Sequence, residues 1–123
     1  MDDELSKKKM TQQVDNLKAT SLPDAYGWDL AVDGLQLTID MPSPKNDNEY
    51  TLVVTFDDFP QQPPSYLFDD DWPNCPDIKE DRGICIVGTR EFYNEFGHGD
   101  RDFNHQEHTV KKTVQRIYHL MRK

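Results

Sequence analysis

Two segments alternate apolar and polar residues with a period of two, the pattern of strands with one buried face. In the first, Leu35, Leu37, Ile39 and Met41 alternate with Gln36, Thr38 and Asp40. In the second, Tyr50, Leu52, Val54 and Phe56 alternate with Thr51, Val53 and Thr55. Between them, Pro42 to Asn48 is rich in Pro, Ser, Asn and Asp and suits a hairpin connection. An earlier strand is expected from Trp28 to Val32, followed by Asp33-Gly34 as a tight turn or a bulge. A short fourth strand, Ser65 to Phe68, follows Pro63-Pro64. Connections this short cannot make parallel crossovers, so the order is antiparallel.

The flanks follow a different period. Residues 3–19 predict an amphipathic helix with Leu5, Met10, Val14 and Leu17 near one stripe, broken at Ser21-Leu22-Pro23. A second helix is expected from near Asn104, where Asn104 and Glu107 have capping-box spacing. Its stripe is Val110, Val114, Ile117, Tyr118 and Met121, and its basic residues suit a helix C-terminus. Residues 69–104 show neither period, and a long irregular stretch inside a small domain is often functional. Helix, antiparallel strands, irregular segment, helix is an α+β pattern. At 123 residues it is expected to be one domain, 1–123.

Composition adds exclusions. Only 35% of residues are hydrophobic, and the mean hydropathy is −0.88. No run approaches a membrane span. The start, MDDELSKKK, lacks the apolar core of a secretory signal, so a cytoplasmic protein is expected. The net charge of −9 is unevenly spread. Residues 110–123 hold Lys111, Lys112, Arg116, Arg122 and Lys123 with no acids. Residues 21–109 hold 19 acids against Lys45, Lys79, Arg82, Arg90 and Arg101. That body lacks the clustered cations a nucleic-acid surface needs, so no nucleic acid and no membrane is expected as partner. It reads as a solvated acidic face or as a docking surface for a basic partner.

Cys75 and Cys85, both in the irregular segment, are too few and too far apart for a disulfide framework or a zinc ribbon. Phe59-Pro60-Gln61-Gln62-Pro63-Pro64, Phe68, Cys75-Pro76-Asp77-Ile78 and Gly83-Ile84-Cys85-Ile86 follow one another along the chain. This series resembles the ubiquitin-conjugating enzymes. Their pattern is an aromatic-Pro-x-x-Pro-Pro turn after a strand, then His-Pro-Asn-Ile. A Gly-x-Ile-Cys-Leu cysteine follows eight residues after the Asn, and a Trp eight further on. Here Asp77 lies eight before Cys85 and Tyr93 eight after. The order of elements also fits, over roughly residues 3–123.

The resemblance implies a ubiquitin-conjugating-enzyme-like fold: N-terminal helix, antiparallel four-stranded meander and C-terminal helix. It implies that Cys85 accepts a ubiquitin-like modifier from an activating enzyme as a thioester and passes it to an amine on a target protein, with no cofactor. A thiolate doing this must be exposed to large partners, and irregular backbone after a glycine suits that need. Lys7, Lys8, Lys9 and Lys18 are the positions matching the basic first-helix surface that docks on the activating enzyme. An ordinary solvated helix face is the plainer reading of the same residues.

Three departures stand out. Cys75 and Asp77 replace the family's His and Asn. An ionised Asp cannot donate to an oxyanion and repels it, so Asp77 would act protonated, structurally, or on the incoming amine. Asn74 in Trp72-Pro73-Asn74 is a substitute donor, or the Asn equivalent itself in a register with a three-residue insertion. The milder change is Tyr93 for Trp. Typical members have two further helices, which are not expected here because the second predicted helix runs to the last residue. That is similar to minimal prokaryotic-type members, with Asp100 and Asp102 as candidates for the acidic role of the missing region.

His98 between Gly97 and Gly99 is a candidate base near the thiol, or a solvated loop histidine. No spacing among His98, His105, His108 and His119 supports a metal site, and none is expected. Two further readings of the chain remain. One is a non-catalytic relative that binds a ubiquitin-like protein or scaffolds a conjugation complex, against which the retained Cys85 argues. The other is a thiol redox protein, which would need Cys75 and Cys85 within disulfide reach.

Overall fold

Helix α1 spans Asp3–Lys18. Ser6, Met10, Val14 and Leu17 are buried, with Gln13 half-buried among them. The computed structural model describes residues 3–43, 48–57, 59, 64–69, 89 and 109–121. Leu5 is a correction to the expected stripe: it is 39% exposed. At about 100° per residue, Leu5 falls roughly 120° round the helix from Leu17, whereas Ser6 lies beside Leu17. The small hydroxyl, not the leucine, meets the core.

Instead of a simple break, the Leu22-Pro23 region forms a second helix, α2, spanning Leu22–Tyr26. Proline in the first turn loses no helical bond there. Thr20 joins the two helices. Its hydroxyl donates to Leu17 O at 2.7 Å and accepts from Leu22 N–H at 3.3 Å. Gly27 ends α2 at φ +71°, a left-handed cap that any Cβ would strain, and Trp28 N–H donates to Pro23 O at 2.9 Å.

Four strands follow: β1 Asp29–Asp33, β2 Gln36–Pro42, β3 Glu49–Thr55 and β4 Ser65–Phe68. They form one antiparallel meander in the order β1-β2-β3-β4. Asp33-Gly34 resolves as a turn, not a bulge. Gly34 and Leu35 form a two-residue loop with Asp33 opposite Gln36 and Gly34 at φ +60°, the sign that tight hairpins require.

Leu37, Val54 and Tyr66 form one row across the sheet, and Ile39, Leu52 and Phe68 the next. All six are buried on the same face. Helix α3, Val110–Leu120, contributes Val110, Val114, Ile117 and Tyr118 to the same core, and Met121 follows. The described elements thus share one hydrophobic cluster, with helices on one face of the sheet.

The start of α3 corrects the sequence expectation. Asn104 and Glu107 lie outside the described residues. Thr109 is extended (φ −68°, ψ 156°) and is the cap, its side chain accepting from Lys112 N–H at 3.3 Å. Val110 N–H donates to Gln13 Oε1 of α1 at 3.0 Å, so a residue 97 positions away satisfies a second orphan donor. With this start, Lys111 and Lys112 fall in the first turn, where the helix dipole disfavours cations. In the described last turn only His119 is basic. Thr109→Ala and Gln13→Leu are each expected to cost about 1 kcal/mol in urea unfolding. Costs below about 0.3 kcal/mol for both would show that these bonds do not set the helix start.

Candidate functional site

The segment expected to carry chemistry is approached from β3. Phe56 directly follows the strand, its N–H donating to Leu35 O at 2.8 Å. Phe59 turns back, its N–H donating to Phe56 O at 3.1 Å. The two rings meet edge-on, with centroids 5.2 Å apart, and both are essentially unexposed. Pro64, directly before β4, is buried. Beyond β4, Asp69 N–H donates to Thr51 O at 2.9 Å. Phe59, the aromatic that precedes the proline-rich run in sequence, is therefore a core anchor, which explains an aromatic at that position without any chemistry.

Cys85, Cys75, Asp77, Asn74, Tyr93, His98, Asp100 and Asp102 lie outside the described residues. Thr89, four positions beyond Cys85, is described and fully buried. Among the described residues no group of three or more His, Cys, Asp or Glu is placed to hold a metal ion. No helix of the described residues is long and apolar enough to cross a membrane.

The four lysines of α1 do not form one patch. Lys7, Lys8 and Lys18 are exposed and Lys9 is half-buried. Lys7 and Lys18 share a flank, about 20° apart and about 16 Å along the axis. Lys8 points roughly away from the core, and Lys9 lies on the opposite flank. A partner gripping one side of α1 can engage Lys7 and Lys18 together.

The sheet locates the acidic charge. Asp29, Asp33, Asp40 and Glu49 are its charged residues, and β1 to β4 contain no Lys or Arg. Asp29 stands opposite Asp40, and Asp40 opposite Thr51, on the face away from the helices. Thr51 Oγ1 donates to Asp40 Oδ1 at 2.7 Å. The flanking row, Ala31, Thr38, Val53 and Leu67, is uncharged. In sequence these acids were only a composition; cross-strand pairing collects them on one surface.

One feature went unnoticed in the sequence. Tyr26, Trp28 and Tyr118 pack on one another beside Gln115 and His119, lining an open cleft of about 60 Å³. Ring centroids are 4.8 to 5.6 Å apart. Rings this close leave no room for a cation or another ring between them. The cluster instead holds the α2–β1 junction against α3. Two aromatics flanking Gly27 and a tyrosine in the α3 stripe were its signal. Trp28 Nε1 is buried without a hydrogen-bond partner among the described residues, a cost of about 1–3 kcal/mol carried by the surrounding ring contacts.

No protein-family model matches the chain, and no curated protein matches it.

Proposed function

We propose that the chain carries a ubiquitin-like modifier as a thioester on Cys85. The observation that carries this reading is Cys85 in Gly83-Ile84-Cys85-Ile86, eight residues after Asp77 and downstream of the Phe59–Pro64 turn. The element order supports it: a helix, a four-stranded antiparallel meander, and a helix on the same core. In the proposed cycle the Cys85 thiolate attacks the thioester carbonyl that joins the modifier to the activating enzyme. The activating enzyme's thiolate leaves, and the new thioester forms on Cys85. A target amine then attacks that carbonyl, an amide forms, the Cys85 thiolate leaves, and the proton lost from the amine passes to that thiolate or to water.

The test is direct. The chain is incubated with a cognate activating enzyme, modifier and ATP, and separated without reductant. The expected result is an adduct cleaved by thiol, kept by Cys75→Ser and replaced in Cys85→Ser by a thiol-resistant ester or nothing. A proven activating enzyme that gives no adduct with the native chain would sink the reading.

A further inference from the structure

Strand β1 is the open edge of the described sheet, and four of its five residues are exposed. Its two-residue hairpin turn makes Asp33, Ala31 and Asp29 the residues that bond to β2. The backbone N–H and C=O of Leu30 and Val32 therefore point outward. Among the described residues, neither has a hydrogen bond beyond β2. These four groups form a ready template for another strand.

Natural edges are commonly blunted by proline, lysine or a bulge. β1 has none: its sequence is DLAVD and its register with β2 is continuous. Val32 shares the helix-covered face with Leu37 yet is 46% exposed, so apolar surface continues to the edge. On the other face Asp29 and Asp33 bracket Ala31, and Asp40 adjoins Asp29.

These features choose among occupants. A second copy pairing antiparallel about Ala31 matches Leu30 to Val32 but sets Asp29 against Asp33 at both ends. Like charges directly opposite disfavour that pairing. A strand with the same apolar positions and reversed charge has no such conflict. We infer that β1 receives an extended, basic segment of a partner protein by strand addition, reading basic–apolar–small–apolar–basic over five residues. The basic residues face Asp29 and Asp33, and the apolar residues extend the face of Leu30 and Val32. This inference does not rest on the thioester reading.

The test uses two labelled peptides in Gly-Ser flanks, Lys-Val-Thr-Val-Lys and Glu-Val-Thr-Val-Glu, titrated against the full chain. The basic peptide is expected to bind, more weakly as salt rises. It should also slow amide exchange at Leu30 and Val32. Asp29→Lys with Asp33→Lys is expected to weaken it about tenfold or more and to admit the acidic peptide. That rescue also shows that the variant folds. Three outcomes overturn the inference: no binding of the basic peptide, binding indifferent to the charge swap, or unchanged exchange at Leu30 and Val32. A native dimer that protects those two amides would give the edge to a second copy and overturn it too.

Discussion

If Cys85 carries the proposed thioester, replacing Asp77 by asparagine is expected to speed its discharge to free lysine about tenfold or more, while adduct formation stays unchanged. The expectation follows from charge. Amine attack on a thioester builds an oxyanion, and a carboxylate nearby repels it while an amide donates to it. A single oxyanion donor is commonly worth about 100- to 1000-fold in rate, so a gain of tenfold is a modest demand. Asn74→Ala is expected to leave discharge unaffected, because Asp77 holds the spacing to Cys85 that the Asn has in the family it resembles. Single-turnover discharge of preloaded protein reads both. If Asn74→Ala slows discharge and Asp77→Asn does not change it, Asn74 is the oxyanion donor, as a substitute in the same register or as the Asn equivalent after a three-residue insertion. If neither moves it, neither residue acts on the oxyanion.

The largest expected loss of stability comes from Phe56→Ala, at about 3–5 kcal/mol. Phe56 is fully buried, meets Phe59 edge-on, and its N–H donates to Leu35 O just beyond the Gln36–Thr55 pair. Removing the ring loses its transfer energy and its aromatic pair and leaves a cavity that a sheet cannot easily fill. A domain of this size has a total stability of only about 5–15 kcal/mol, so this substitution removes a large part of it. Urea unfolding is expected to show a lower midpoint with an unchanged slope. Leu5→Ala, on the exposed side of α1, is expected to stay within about 0.5 kcal/mol. A Phe56→Ala cost below 1 kcal/mol would mean that the strand end does not depend on the Phe56–Phe59 contact.

Legibility differed by element for physical reasons. The strand holding Leu37, Ile39 and Met41 was readable because one face is buried and the other is not, which imprints a period of two. The fourth strand matched over Ser65–Phe68 for the same reason. Leu5 misled because an apolar residue near a stripe is not necessarily within it. Helix α2 was missed because Leu22-Pro23 reads as a stop, although proline is equally at home in a first turn. The candidate site was legible only as a motif: spacing singles out Cys85, while Asp77 and Asn74 compete for one role.

By itself the sequence determined the four strands, their antiparallel order and the two long helices, since burial on one side writes a period into the chain. It also singled out Cys85. Only the tertiary structure decided where α3 begins, because Gln13 of α1 supplies an acceptor for the Val110 N–H. It likewise divided the lysines of α1 between flanks and gathered the acids of β1 and β2 on one surface. It also left the outward groups of Leu30 and Val32 at an open edge. Periodicity records that a residue faces a neighbour; which neighbour stands there, or whether one does, is settled when the elements pack.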